Sequence, residues 1–164
     1  MAFRALEIGA QTEEFARQFI SAACVSDIGC SATLDVRCGV YPYIGRGRQP
    51  ISMADRLPFT AAVFDEVWMV NPYNYGFKFM DFAVATLAAI DRVLRPGGVV
   101  TILGYHNNGW CRPANVETVT RQLGWNYVLT PIDASVLCPG HVFNDTQGRQ
   151  LLNTPDRRQR LTKP

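Results

Sequence analysis

The sequence is poor in the features by which metal centres, secreted proteins and membrane proteins are recognised. Its 164 residues hold two histidines and five cysteines, with neither a C-x-x-C pair nor histidines at zinc-ligand spacing. Apolar runs stay shorter than a membrane span, and acidic residues interrupt the opening where a signal peptide would be apolar. We therefore predict no metal, no membrane contact and a cytoplasmic protein whose cysteines are reduced thiols, most of them buried.

The sequence also has no large excess of positive or negative charge. The chain carries a formal net charge of +2, with 18% charged and 48% hydrophobic residues. This is typical of a globular protein and too mild to indicate nucleic-acid binding by itself. The length suits one domain with a substantial core. We predict that this domain spans residues 1–153 and that the basic residues 154–164 form a flexible tail.

Apolar strands and amphipathic helices alternate along most of the chain. This order predicts an α/β fold with a doubly wound, mostly parallel sheet and helices on both faces. Strands are predicted near residues 4–8, 23–26, 51–53, 67–70, 99–103 and 126–129, and the longer helices near 12–22, 79–94 and 114–123. The glycine turn that follows the first strand is where such a sheet binds a nucleotide-like ligand.

Three segments, taken in order, resemble the motifs of class I S-adenosylmethionine-dependent methyltransferases. The first is ALEIGAQTEEFARQF from residue 5, the second is ADRLPF from residue 54 followed by FDEVWMV from residue 64, and the third is VLRPGGVVTILGY from residue 93. Together they cover roughly residues 3–105. The resemblance implies a Rossmann-like fold, S-adenosylmethionine as the cofactor and methyl transfer as the reaction.

The resemblance also implies where the cofactor binds. In the family, the turn after the first strand approaches the methionine part of the cofactor, and an acidic residue ending the second strand accepts hydrogen bonds from the ribose. The segment before LPF contacts adenine, and the end of the strand FDEVWMV faces the sulfonium methyl. On this sequence the implied cofactor-binding residues are Glu7, Gly9, Ala10, Gln11, Asp27, Met53, Ala54, Asp55 and Asn71.

Two departures from the family pattern leave an alternative open. The turn after the first strand keeps only Gly9, with Gln11 and Glu13 where further glycines are common. Met53 stands where an acidic residue often precedes A-x-x-L-P-F. The alternative is a catalytically impaired, methyltransferase-like domain that serves as a binding or scaffolding module.

The segment Asn71-Pro72-Tyr73 is similar to the N/D-P-P-Y signature of amino-group methyltransferases, with one proline fewer. In those enzymes an amide or carboxylate oxygen and a backbone carbonyl accept hydrogen bonds from the target amine, which implies an amino acceptor and catalytic roles for Asn71 and Tyr73. Tyr105 and His106, just past a later strand, are further candidates for a base or a substrate contact. The alternatives are that Asn71-Pro72 merely ends a strand and that His106 is a polar loop residue.

The sequence does not specify the methyl acceptor, which is a small molecule, a protein or a nucleic acid. The aromatic, basic loop at residues 41–48 and the basic segment at 157–163 are typical of surfaces that follow a phosphate backbone, and a solvated surface is the alternative interpretation. The first motif begins almost at Met1. Substrate recognition by a partner chain, or a role as the effector domain of a larger protein, is therefore a further alternative.

Overall fold

The computed structural model describes residues 5–8, 14–19, 57, 59–72, 76–144 and 149–164. The glycine turn, the strands expected near 23–26 and 51–53, and the loop at 41–48 lie outside these residues.

The described residues form five strands, four α-helices and one 3-10 turn. In chain order these are β1 (Ala5–Ile8), α1 (Glu14–Phe19), β2 (Phe64–Val70), α2 (Met80–Val93), β3 (Leu94–Gly104), the 3-10 turn (Gly109–Cys111), α3 (Pro113–Gln122), β4 (Asn126–Pro131), α4 (Ala134–Leu137) and β5 (Arg157–Thr162). The strands and helices predicted within these ranges are confirmed, whereas α4 and β5 are additional. None of the helices among the described residues is long and apolar enough to cross a membrane.

The five strands form one sheet in the order β1-β2-β3-β5-β4. The strands β1, β2 and β3 pair in parallel, whereas β5 pairs antiparallel with both β3 and β4. It follows that β4 points the same way as the first three strands, and that β5 is the one reversed strand among those described. The predicted α/β fold with a mostly parallel sheet is confirmed.

The position of β5 corrects one prediction. The flexible basic tail expected over residues 154–164 is wrong, because Arg157–Thr162 forms a strand between β3 and β4. The side chains of Gln159 and Leu161 are buried, while Arg160 between them is exposed. The charge of this segment suggests a tail, but its alternation of buried and exposed residues is that of a strand.

The sheet is covered on both faces, as the alternation of β2 requires. Val67 and Met69 belong to the larger apolar cluster, which also contains the buried apolar residues of α2 and α3. Trp68, which contacts both clusters, and Val70 pack on a second cluster that includes Phe15 of α1 and residues of α4. Since successive side chains of a strand point to opposite faces, these two clusters lie on the two sides of the sheet. The prediction of helices on both faces is confirmed.

Helix α2 shows the apolar periodicity that predicts it. Its buried apolar positions recur at three or four residues and include Ala83, Leu87, Ile90 and Val93. The chain then enters β3 directly at Leu94, five residues earlier than the predicted strand start. Within the R-P-G-G motif Gly97 takes a φ of +77°, a conformation that side chains other than glycine disfavour. Its N–H donates to the Lys163 carbonyl at 3.1 Å, so the motif joins β3 to the chain that leaves β5.

Two cysteines lie among the described residues, and both are buried free thiols. Burial raises the pKa of Cys138 to about 11 and raises the pKa of Cys111 further. The expectation of buried, reduced thiols is therefore confirmed for these two cysteines. The other three, Cys24, Cys30 and Cys38, lie outside the described residues.

Deleting residues 157–164 is expected to unfold the protein instead of trimming a tail. The deletion leaves the facing backbone groups of β3 and β4 unpaired and removes two buried side chains from the core. We expect the cooperative thermal transition, followed by circular dichroism, to disappear. Deletion of Pro164 alone is the control and should move the melting temperature by no more than about 2 °C. A shortened chain that melts like the full one would contradict the central position of β5.

Candidate functional site

The parallel strands β1, β2 and β3 end at one edge of the sheet, and candidate residues follow those ends. Asn71 and Pro72 follow β2, and Tyr105 and His106 follow β3. The two strand ends are joined, because the Asn71 N–H donates to the Leu103 carbonyl at 2.7 Å. In open α/β sheets, ligands bind in the crevice at this edge.

Glu7 lies one residue before the end of β1 and is buried. Its exposure is 2%, and it is opposite Trp68 in the register of β1 and β2. Among the acidic side chains whose burial the structure describes, Glu7 is the buried one. A carboxylate in such a place is tolerated only with compensating donors or positive charge around it. Near the end of a parallel strand, a carboxylate is also a group that accepts hydrogen bonds from N–H donors.

Asn71 turns the chain at the end of β2. Its φ is +45°, in the left-handed region that asparagine tolerates better than most residues. Two oxygen atoms of this turn, Asn71 Oδ1 and the Pro72 carbonyl, converge on a single donor nitrogen. One of these atoms belongs to a side chain and the other to the backbone, and their bonds to the same nitrogen hold them close together.

The nitrogen that these two oxygen atoms share belongs to Asn108. Asn108 Nδ2 lies 2.8 Å from Asn71 Oδ1 and 3.0 Å from the Pro72 carbonyl. Asn108 Oδ1 accepts from the Trp110 N–H at 3.0 Å. A carbonyl only accepts and an N–H only donates, so these backbone partners determine which end of the Asn108 amide is nitrogen. Asn71 must therefore present its oxygen to Asn108.

His106 is held by Asp156, the residue just before β5. The His106 N–H donates to Asp156 Oδ1 at 2.8 Å, and His106 Nδ1 lies 2.5 Å from Asp156 Oδ2. Since a carboxylate only accepts, Nδ1 carries the hydrogen, and Nε2 keeps its lone pair in the neutral ring. The Asp156 N–H donates in turn to the Gly104 carbonyl, which ties the pair to the end of β3. This arrangement suits proton acceptance at Nε2.

Aromatic rings flank the same edge. The ring of Tyr105 packs on His106, with 4.2 Å between the ring centroids. A larger cluster at the start of α2 consists of Phe79, Phe82 and Trp110. Phe79 is 50% exposed and Phe82 is 41% exposed. The cluster therefore presents aromatic surface to solvent directly beside the turn that carries Asn108.

Sequence reasoning finds part of this site and misses part of it. It nominates Asn71, Tyr105 and His106, and the structure brings all three to one edge. It misses Asn108 and Asp156, because each acts on a residue 37 or 50 positions away in the chain. The one local signal for Asn108 is the Asn-Gly pair that follows His106, which indicates a turn. Nothing local identifies the carboxylate before β5.

The remaining predicted site residues lie outside the described part of the chain and stay predictions. They are Gly9, Ala10, Gln11, Asp27, Met53, Ala54, Asp55 and Tyr73. Within the described ranges, no three histidine, cysteine or acidic side chains are grouped as metal ligands.

Neither a protein-family model nor a curated protein matches the sequence. Solved structures do match it. The N-methyltransferase NodS of Bradyrhizobium japonicum WM9 gives a TM-score of 0.55 at 14% identity, over 99% of this chain and 86% of NodS. Phosphoethanolamine N-methyltransferase 2 of Haemonchus contortus, in complex with S-adenosyl-L-methionine, gives 0.53 at 12% identity, over 100% of this chain and 49% of that protein. The chain has the class I methyltransferase fold.

A third solved structure matches this chain over a similar length. A mutant of the 16S rRNA (adenine(1408)-N(1))-methyltransferase from Catenulisporales acidiphilia gives a TM-score of 0.51 at 14% identity, over 98% of this chain and 86% of that protein. The Rossmann-like α/β fold class is thereby confirmed.

Replacing Asn71 by alanine is expected to cost more stability than replacing it by glycine. Both changes remove the amide oxygen that Asn108 binds, but alanine also strains the backbone at a φ of +45°. We expect the alanine variant to lose about 1 kcal/mol more of unfolding free energy than the glycine variant in urea titrations. Asn71→Asp keeps an acceptor oxygen for Asn108, so it is the reference variant whose unfolding free energy should be closest to that of the unmodified protein. Equal stability of the alanine and glycine variants would contradict a strained turn.

Proposed function

We propose that the protein is an S-adenosylmethionine-dependent methyltransferase that methylates an amino group. The fold supports the first part, and two proteins that share the fold are named N-methyltransferases. Fold alone does not specify an acceptor. The observation that carries the acceptor class is the convergence of Asn71 Oδ1 and the Pro72 carbonyl on one NH₂ position.

The cofactor site is proposed at the end of β1. The buried Glu7 carboxylate lies there, and a carboxylate suits the ammonium group at the methionine end of the cofactor. The other contacts are those that the motif resemblance implies, at residues 9–11, at Asp27 and at residues 53–55. When bound, S-adenosylmethionine supplies a methyl group that its sulfonium has already activated.

The acceptor amine is proposed to bind between the two oxygen atoms at the end of β2. Asn71 Oδ1 and the Pro72 carbonyl lie 2.8 and 3.0 Å from one common nitrogen, which is hydrogen-bond distance for both. Two hydrogen bonds accepted from the same amine fix the orientation of its remaining lone pair. Orientation of this kind does much of the catalytic work when the methyl group is already activated.

His106 is proposed to accept the proton that the amine loses after methyl transfer, which is one of the two hydrogens first bound by Asn71 Oδ1 and the Pro72 carbonyl. Asp156 binds both the backbone N–H and Nδ1 of His106, so the ring is fixed in orientation and Nε2 is the basic atom. Tyr105 packs on the same ring and restricts its rotation. Asp156 is a positioning residue in this scheme, because it acts through His106.

Cofactor binding is the direct test of the proposed function. We expect isothermal titration calorimetry to detect S-adenosylmethionine binding to the unmodified protein. Glu7→Gln should weaken that affinity about tenfold, since it replaces a charge-assisted contact by a neutral one. Glu117→Gln, on the exposed side of α3, is the matched control and should bind normally. No detectable binding at millimolar cofactor would contradict the proposal. Binding without turnover on any amine would favour the binding-module alternative.

Asp156→Asn is expected to lower the methylation rate while leaving cofactor affinity unchanged. The oxygen of the introduced amide can still accept from the His106 N–H, but the NH₂ group of that amide forces the hydrogen of the imidazole ring onto Nε2. On the first amine found to support turnover, kcat should fall about a hundredfold or more, and the rise of rate with pH that a general base produces should disappear. Asp133→Asn is the matched control, because Asp133 also accepts from a backbone N–H, that of Ser135, but at α4. An unchanged kcat would contradict the role of His106.

A further inference from the structure

The amine site proposed above is filled by an NH₂ group of the protein itself. Asn108 Nδ2 occupies the single position to which Asn71 Oδ1 and the Pro72 carbonyl both point. A carboxamide NH₂ is planar and has two hydrogens, one for each oxygen. We propose that Asn108 stands in for the acceptor in the free protein and leaves the site when an acceptor amine binds. This inference rests on the proposed function.

The contacts of Asn108 explain why the site is filled. Pro72 is buried and Asn71 is half-buried, so their oxygen atoms would lose hydrogen bonds if nothing occupied the position. An acceptor atom that is desolvated and unpaired destabilises the protein. The Asn108 amide satisfies both oxygen atoms at once. An incoming amine therefore competes with an internal donor and does not enter an open site.

The Asn108 side chain can leave without unfolding the segment that carries it. The Asn108 N–H donates to the Tyr105 carbonyl at 2.8 Å, and the Asn108 carbonyl accepts from the Cys111 N–H at 2.9 Å. A third backbone bond, from the Phe77 N–H to the Trp110 carbonyl at 2.9 Å, ties the same segment to the chain before α2. None of these three bonds uses the side-chain amide, although rotation of that amide also breaks the bond that its Oδ1 accepts from the Trp110 N–H. Since Asn108 is only half-buried, rotation of its side chain can expose the two oxygen atoms.

Competition with Asn108 gives the site a chemical preference. The NH₂ group of an aromatic amine or an amide donates two hydrogens from one nitrogen and replaces both bonds that Asn108 makes. Once that nitrogen carries a methyl group, it has one hydrogen left and replaces only one of them. Asn108 then regains the site, which favours release of a singly methylated product over a second transfer.

The test compares two asparagines that make similar contacts. In Asn108→Asp a carboxylate faces Asn71 Oδ1 and the Pro72 carbonyl and is repelled by them, while an oxygen remains to accept from the Trp110 N–H. Asn115 is the matched control, because its Nδ2 also donates to two carbonyls, those of Phe77 at 2.9 Å and Lys78 at 3.3 Å. Asn115→Ala removes a comparable pair of bonds without uncovering the amine site. Asn108→Ala serves as the second variant at the site itself.

The probes are adenosine, cytidine and benzamide, each paired with its N,N-dimethyl counterpart, which has the same ring but no N–H donor. Affinities are measured by calorimetry with saturating S-adenosylhomocysteine. We expect Asn108→Asp to bind at least one NH₂ probe about tenfold more tightly than the unmodified protein does, with no gain for the dimethyl counterpart. Asn115→Ala should bind every probe as the unmodified protein does.

Three results would overturn the role of Asn108. The first is an equal gain in affinity for an NH₂ probe and its dimethyl counterpart. The second is an equal gain in affinity in the Asn108 and Asn115 variants. The third is that no NH₂ probe binds to the Asn108 variants. Loss of cooperative melting in both Asn108 variants, with Asn115→Ala intact, would also overturn it, because the amide would then be required for folding. Failure of S-adenosylhomocysteine to bind at all is a different result, and it overturns the proposed function itself.

Discussion

The reversed strand β5 is the element on which the rest of the described structure depends. It pairs along six residues with β3 on one side and with β4 on the other. Without it, β4 has no partner in the described sheet. A strand with neighbours on both sides has its backbone groups paired, and none of the three arginines of β5 is buried. The arginine at position 160 directs its charge to solvent, while Gln159 and Leu161 face the core.

Gln159 of β5 and Asp156, the residue just before that strand, position the candidate site. Asp156, just before β5, binds the backbone and the ring of His106. Gln159 is 2% exposed; its Nε2 donates to the Cys111 carbonyl at 2.6 Å and its Oε1 accepts from the Tyr127 hydroxyl at 3.0 Å. Both contacts reach the segment that follows β3, since Asp156 binds His106 and Gln159 binds Cys111. They hold the two ends of the segment that carries His106 and Asn108 against β5. Burial, aided by the charge of Glu117, raises the pKa of Tyr127 to about 12, which keeps its hydroxyl a donor to Gln159.

The sequence predicts those parts of the fold whose signal is local. The strand β2 is continuously apolar after Glu66, and α2 repeats its apolar residues every three or four positions, so both are found from the sequence. Asn71 is found because a strand that ends in Asn-Pro is visible in the sequence. The strand β5 is missed because its charged residues outweigh its alternation. Asn108 and Asp156 are missed because their roles are defined by partners 37 and 50 residues away, and no local pattern carries that information.

The insertion of β5 between β3 and β4 sets an order of events during synthesis. A ribosome completes β4 and 25 further residues before it begins Arg157–Thr162, the segment that connects β4 to the sheet. Until β5 has emerged and paired, one edge of β3 and both edges of β4 are unpaired in the described sheet, and each can pair with another chain. The sheet is complete only when β5 pairs with both β3 and β4. The growing chain is therefore open to mispairing until Arg157–Thr162 has left the ribosome and taken its place in the sheet.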